Sequence, residues 1–275
     1  MNGRPLRLAW ATDIHLGLAD DTTRRAFYQS VRERAEALIV TGDIAESPVI
    51  GHFLTTMAMA TERPVYFVLG NHDFYGGSIA DTRSRVGRVV ESVGNLAYLS
   101  RSGVLELAPG TALVGHDGWA DGRLGDFEGS GVILNDFLCI DELRCWTDAH
   151  TLDKPVLRRK IEALGDEAAG YLRNLLAPAA EKYAHVVVAT HVPPFRETSW
   201  HQGRPATDDC LPFFSCKAVG DMLLGVARSH PGCQILVLCG HTHGGGDVQV
   251  LENLRVLTGP AEYGKPEIQR IIQVE

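Results

Sequence analysis

The sequence predicts a layered α/β fold with mixed rather than purely parallel strands, and three of its features carry that prediction. Short apolar runs recur along the chain, and several are apolar at successive positions, as strands covered on both faces require. Stretches of helix-like composition and spacing separate the runs, the alternation that builds parallel sheets. From Asp247 onward the alternation stops, and "DVQVLENLRVLTGPAEYGKPEIQRIIQVE" reads as short strands joined by turns, an antiparallel meander attached to the sheet system.

In chain order, strands are expected at 6–12 (LRLAWAT), 37–41 (ALIVT), 65–69 (VYFVL), 111–115 (TALVG), 185–190 (HVVVAT) and 234–239 (QILVLC). Helices are expected over 20–36, 47–60, 78–92, 155–176 and 216–229. Two long irregular segments remain, 117–150 and 192–215, and loops of that length in a compact domain usually carry function. No repeat, low-complexity tract or linker interrupts the chain, so residues 1–275 are read as one domain with insertions at those two places.

A formal net charge of -8 argues against an extended nucleic-acid-binding face, because an acidic chain does not track a phosphate backbone. The opening "MNGRPLRLAWATD" lacks a basic stretch followed by a signal-length apolar segment. No later apolar run approaches the roughly 20 residues of a membrane helix, so a cytoplasmic protein without a membrane partner is expected. The 6 Cys fall in three pairs of one spacing, Cys139 and Cys145, Cys210 and Cys216, Cys233 and Cys239. Along the strand "CQILVLC" the last pair would stand about 20 Å apart, whereas a disulfide needs under ~7 Å. None has CxxC spacing, and free, mostly buried thiols are the expectation.

The chemistry sits at the strand ends. Asp13 and His15 follow the first run, Gly42 and Asp43 the second, and Gly70-Asn71-His72-Asp73 the third; His191 follows a later run and "GHTH" at 240–243 the last. Ligands of open α/β sheets bind outside the carboxyl ends of strands, so these segments can converge in space. Five of the 11 His, namely His15, His72, His191, His241 and His243, fall in these clusters, which an even scatter does not explain. Asp13 and His15, like His241 and His243, are two residues apart, so an extended backbone would turn both members of each pair to one side. Imidazoles mixed with carboxylates suit divalent transition metals, and glycines allow the backbone to turn sharply or approach an ion. Taken singly, each residue has a plainer use: Asp13 as a helix cap, Asn71 and Asp73 in a turn, His191 as a bonded core imidazole. Those uses do not account for their order at successive strand ends.

The segments "DIH", "GD", "GNHD", "TH" and "GHTH", in that order over residues 13–243, resemble the calcineurin-like metallophosphoesterases. The signature of that family runs D-x-H, G-D, G-N-H-[DE], a lone His and G-H-x-H. The resemblance implies a four-layer αββα sandwich, two mixed β-sheets packed together and flanked by helices. It also implies two divalent metal ions, Mn or Fe foremost, while Zn, Co and Ni suit the same donors. Asp13, His15, Asp43 and His243 would hold one ion and Asp43, Asn71, His191 and His241 the other, with Asp43 bridging. Two such ions, two ligand carboxylates and one bridging hydroxide sum to one net positive charge, which attracts a phosphate anion. Two metals about 3.5 to 4 Å apart acidify a bridging water and clamp the phosphoryl oxygens for an in-line displacement. At the position of His72 the family donates a hydrogen bond or proton to the phosphoryl or leaving-group oxygen, and Asp73 would orient that ring.

Beyond the signature, "LVGHDGW" again places polar groups past a strand, which makes His116 and Asp117 candidate substrate contacts and Trp119 a candidate pocket wall. Trp200 and His201 follow the His191 segment, where an indole could stack on a nucleoside or aryl leaving group. His52, His150, His185 and His230 have no partner motif and are read as surface or capping residues.

The activity implied is hydrolysis of a small-molecule phosphomonoester or phosphodiester. Asp43 is followed by "IAES" and not by the VDRG of serine/threonine protein phosphatases, and the acidic balance counts against a nuclease of long duplexes. Cyclic nucleotide phosphodiesterases carry a matching ligand set and stay open. The rival of a different class is a protein-interaction scaffold, as in a retromer subunit of the same fold. Lost ligands would mark such a scaffold, and here every position is filled.

Overall fold

The computed structural model describes residues 5–274. The first four residues of the opening stretch, on which the reading of a missing leader partly rests, lie outside the described residues, as does Glu275 at the end of the expected meander. The strands are β1 (Leu6–Ala11), β2 (Ala37–Thr41), β3 (Val65–Val68), β4 (Leu96–Tyr98), β5 (Leu105–Ala108), β6 (Thr111–Gly115) and β7 (His185–Ala189), then a hairpin of β8 (Trp200–His201) and β9 (Arg204–Pro205), and finally β10 (Gln234–Cys239), β11 (Gly246–Leu251), β12 (Leu254–Thr258) and β13 (Arg270–Val274). The helices are α1 (Asp21–Arg34), α2 (Ile50–Thr61), α3 (Ile79–Ser92), single-turn α4 (Leu99–Ser102) and α5 (Asp136–Cys139), long α6 (Lys154–Lys182), single-turn α7 (Leu211–Phe214) and α8 (Lys217–Ser229). None of the helices among the described residues is long and apolar enough to cross a membrane.

Two mixed sheets result, one in the order β13-β1-β2-β3-β4 and the other β11-β12-β10-β7-β6-β5. Strands β1 to β4 run parallel with β13 antiparallel at the edge; β12, β10, β7 and β6 run parallel with β11 and β5 antiparallel at the two edges. The period-2 alternation of side chains assigns each strand residue to a layer. In β1, Leu8 and Trp10 enter a core that they share with Val187, Ala189 and Leu238 of the other sheet, while Ala9 and Ala11 turn outward to pack with Phe27, Leu54 and Val86 of the first three helices. In β7 and β10, Val186, Val188, Val237 and Cys239 turn outward to pack with Leu172 and Leu176 of α6 and Val219 and Leu223 of α8. Helix, sheet, sheet and helix layers follow directly from runs that are apolar at every position.

Three departures from the sequence reading have physical causes. The C-terminal segment is not one meander: β11 and β12 form a hairpin, but β12 lies parallel to β10 and β13 crosses to the other sheet beside β1. Strands β4 and β5 escape the pattern because β4 spans only 3 residues and β5, with Glu106 exposed and no position buried, is not an apolar run. Helix α6 continues through Pro178 to Lys182, held by Ala179 and Ala180 in the core beneath it. The segment 117–150 also proves to be packed, not loose. Phe137, Ile140 and Leu143 are buried, Cys139 O accepts from Gly76 N at 2.9 Å, and the Glu142 carboxylate caps α3 by accepting from Ile79 N at 2.9 Å and Ala80 N at 3.2 Å. All six cysteines are free thiols.

Asp117 joins the two sheets. It follows β6, is 0% exposed, and accepts from Leu69 N and Ser100 Oγ at 2.8 Å, Tyr98 hydroxyl at 2.6 Å and Arg83 Nε at 3.0 Å, all on the side of the other sheet. A carboxylate so saturated has no lone pair left for a ligand, so this structural role replaces the substrate contact expected of Asp117. Asp117→Ala should lower unfolding free energy by about 3–5 kcal/mol, because it leaves the buried Tyr98 hydroxyl and Leu69 N without their acceptor and Arg83 with Glu167 alone. Urea denaturation reads this directly, and a loss within about 0.5 kcal/mol, as for an ordinary surface position, would refute the role.

Candidate metal centre

The five polar segments lie at the carboxyl ends of β1, β2 and β3 in one sheet and β7 and β10 in the other, so they meet on the seam between the sheets. Backbone bonds stitch the seam: Asp13 N donates to Gly42 O at 3.0 Å, His15 N to Asp43 O at 2.9 Å, and Gly240 N to His191 O at 2.8 Å. The pairs at two-residue spacing do converge, but not by the extended backbone expected. Asp13, His15, Asp43, His241 and His243 are left-handed, with φ of 50°, 36°, 53°, 70° and 56°. Only three other non-glycine residues among those described share that region, so the unfavourable backbone is concentrated where these side chains must point inward. Glycine is required beside them: a Cβ at Gly70 would run into Asp43 Oδ1, and one at Gly240 into Asp13 Oδ2.

Asp13, His15, Asp43 and His243 form one group, with candidate ligand atoms all within 4.8 Å of one another. His243 Nε2 lies 3.4 Å from Asp13 Oδ1 and 3.4 Å from His15 Nε2, and His15 Nε2 lies 3.7 Å from Asp43 Oδ2. Burial and the neighbouring Asp13 carboxylate push Asp43 well above the usual carboxylate range. Two buried acids this close need a cation to be charged together. His15 is pushed down to about 3 by burial, with His72 adding to it, and its ring is therefore in the neutral form that coordinates metals.

The second group is defined by where its protons are. His191 Nδ1 lies 2.8 Å from the Thr41 carbonyl oxygen, which can only accept, so Nδ1 carries a hydrogen, and in the neutral ring Nε2 is the free donor atom for a metal. By the same argument His241 Nε2 donates to Phe213 O at 2.8 Å and leaves a lone pair on Nδ1. Asn71 Nδ2 donates to Asp136 Oδ1 at 2.8 Å, which turns Asn71 Oδ1 inward, 3.1 Å from His191 Nε2 and 3.0 Å from His241 Nδ1. Asp43 Oδ1 lies 3.4 Å from His191 Nε2, so the two oxygens of Asp43 face different groups. Two ring nitrogens and two side-chain oxygens thus confront one another within 3.0–3.4 Å along these contacts. Such a donor set fits a divalent ion, and the two groups together fit a pair that shares Asp43.

His72 stands at the mouth of the site with its side chain 22% exposed and Nε2 4.0 Å from Asp43 Oδ2. Burial, with His191 adding to it, pushes it down to about 4. Its ring stacks on Tyr75 at 4.3 Å. Asp73 does not orient that ring. Its oxygens accept from Ile44 N at 2.7 Å and from Ala45 N and Gly70 N at 2.8 Å, which fixes the turns after β2 and β3. In front of the ligands opens a cleft of about 260 Å³, bordered by His72, Tyr75, Asp136, His201, Phe214 and Tyr263.

The other expected contacts divide. His201 reaches the cleft, with Nδ1 donating to Thr242 O at 3.1 Å. Trp200 instead anchors its loop, donating to Glu197 O at 2.9 Å and backing onto Gly244 and Gly246. His116 is buried away from the cleft, where Nδ1 accepts from Gly118 N at 3.1 Å and the ring packs on Tyr171. Trp119 is buried against Phe74 and lies behind Asn71, His191 and His241, not in front of them. Four of the cleft residues named above were not anticipated, Phe214 among them. Tyr75 lies inside the "GNHDFYG" run and was legible there; Tyr263, whose ring centroid is 4.6 Å from that of His15 and 4.9 Å from that of His243, sits in a turn-rich stretch; Asp136 carries no local signal.

The calcineurin-like phosphoesterase family model matches residues 6–245. No curated protein matches the chain. Among solved structures, the chain is similar to phosphopantetheinyl hydrolase from Mycobacterium tuberculosis, with a TM-score of 0.64 and 14% identity over 98% of this chain and 96% of that one. It is also similar to a dimetal phosphatase from Danio rerio, with a TM-score of 0.58 and 18% identity over 94% and 88% of the two chains. A protein of Thermus thermophilus, TT1561, follows at a TM-score of 0.54 and 14% identity over 93% and 89%. At these identities the structural likeness shows a common fold, and the match over residues 6–245 shows the family. The chain belongs to the calcineurin-like phosphoesterase family and is therefore a phosphate-ester hydrolase.

Proposed function

We propose that the protein is a dinuclear metal-dependent phosphoesterase acting on a small phosphomonoester or phosphodiester. The observation that carries this reading is the convergence of four imidazole rings, the Asn71 amide oxygen and the Asp13 and Asp43 carboxylates on two adjoining points. In this reading Asp13, His15, Asp43 and His243 hold one ion, and Asp43, Asn71, His191 and His241 hold the other. Mn or Fe is the expected pair, since mixed imidazole and carboxylate donors leave the choice to availability. When bound, the ions supply an acidified water and a clamp on the phosphoryl oxygens.

The side chains supply placement. His72, pushed down to about 4, is neutral near pH 7, so it acts on the phosphoryl or leaving-group oxygen as a neutral N–H donor. Among the described residues, no Lys or Arg borders the cleft, while the rings of Tyr75, Phe214 and Tyr263 do. The charge of the phosphate is then met by the ions, and the organic part of the ester by aromatic faces.

The test compares p-nitrophenyl phosphate with bis(p-nitrophenyl) phosphate on Mn-loaded protein, with metal content measured in parallel. Asp43→Asn should lose bound metal and reduce turnover of the preferred ester by more than about 100-fold, beyond what losing an outer-shell partner costs. Full activity in that variant would sink the assignment. His72→Ala should keep both ions yet turn over about 10²–10⁴-fold more slowly; an unchanged rate would remove it from the mechanism. Chelation should lower the melting temperature by about 5–10 °C, since an ion at 100 times its Kd stabilises by about 2.7 kcal/mol and large domains shift about 2–4 °C per kcal/mol. Equal melting with and without metal would speak against bound ions at this site.

A further inference from the structure

Asp136 is 3% exposed and lies in α5, inside the segment 117–150. Its Oδ1 accepts from Asn71 Nδ2 at 2.8 Å and from the Tyr75 hydroxyl at 2.6 Å, and Asn71 Nδ2 also lies 3.3 Å from that hydroxyl. A primary amide carries an oxygen on one side and two N–H groups on the other, nearly equal in shape. Which side faces inward is therefore decided by what waits outside.

The wrong side has a strong claim of its own. His191 Nε2 and His241 Nδ1 both present lone pairs to Asn71, so an amide turned by half a rotation would offer them its two N–H groups. That arrangement satisfies both rings without an ion and leaves no oxygen donor for one. Asp136 Oδ1, 2.8 Å from Asn71 Nδ2, holds the NH2 group outward, and the flipped amide would set two oxygens against each other there.

We infer that Asp136 is a positioning residue that turns Asn71 Oδ1 toward His191 and His241 and so keeps the second half of the centre competent to bind a metal. The inference rests on the dinuclear reading given above. Its mount is rigid. Around Asp136 the chain is fixed by buried Phe137 and Ile140, by Gly76 N donating to Cys139 O at 2.9 Å, and by Asp141 N donating to Gly77 O at 3.1 Å. The segment 117–150 is thus a strut that carries an outer partner of the site.

The experiment titrates the full chain with Mn(II), counting bound ions by mass spectrometry and distinguishing a coupled pair from an isolated ion by electron paramagnetic resonance. Wild type, Asp136→Ala, Asp136→Leu and Asp136→Asn are compared. The Ala variant should bind its second ion about 10–100-fold more weakly, the usual cost of losing an outer partner. The Leu variant fills the volume, and it should show the same loss even if the Ala variant does not fold. The Asn variant keeps an oxygen that accepts from both Asn71 and Tyr75, and it should retain the coupled pair. Unchanged second-ion affinity in the Leu variant overturns the inference, as does a loss in the Asn variant equal to that in the Leu variant. A wild type that binds fewer than two ions overturns the dinuclear reading itself, and this inference with it.

Discussion

The constraint on which the rest of the molecule depends is a set of imidazoles, carboxylates and one amide held face to face on the seam between two sheets. Asp13, Asp43, Asn71 and four histidines point inward, and the two buried carboxylates, left alone, disfavour each other's charge. Bringing them together requires five residues in the left-handed region, at roughly 1–2 kcal/mol each. That sum is comparable to the whole stability of an ordinary domain. Two features oppose it. Four parallel strands on each side fix the turns from below, and backbone bonds between strand ends fix them across the seam. The remaining deficit is one that a cation can offset, since binding to the folded state alone adds to its stability.

Buried carboxylates near the seam can be sorted by how many protein donors each receives. Asp117 receives four and Asp73 three, and both serve as fasteners of the chain. Asp43 receives a single backbone N–H, from His72 at 2.9 Å, although it is among the most buried acids of the chain. An acid with lone pairs to spare in a buried place calls for a partner that the protein does not provide. The same count separates Asp73 from His72, adjacent in sequence yet divided between scaffold and cleft.

Much of this was legible in the sequence, for a physical reason. The candidate ligands follow apolar runs directly, so the signal is local: a strand pattern, then a polar residue. Strands β1, β2, β3, β6, β7 and β10 came from the same local pattern. What the sequence hid depends on distance along the chain. Asp117 meets Leu69 and Asp136 meets Asn71 across 48 and 65 positions, and nothing in "GHDGW" or "LNDFL" marks either partner. The backbone at Asp13 and His243 was misread as extended because two-residue spacing looks like strand periodicity, whereas left-handed turns reach the same convergence.

The misread C-terminus has the largest consequence for the cleft. Strand β12 runs parallel to β10, so it ends at Thr258 on the same side as the candidate metal ligands; β13 is antiparallel to β1 and begins there, with Arg270 opposite Trp10. The connection 259–269 must therefore cross the seam directly above the site. It is tied down on both sides, by Gly259 N donating to Cys239 O at 2.9 Å and Gln269 N to Trp10 O at 2.8 Å. Between those ties Tyr263 stands 52% exposed beside the rings of His15 and His243. A simple meander would have kept this segment on one sheet and left the mouth of the cleft open. Because the chain changes sheets, the connection that leads to the edge strand β13 also supplies an aromatic wall of the cleft.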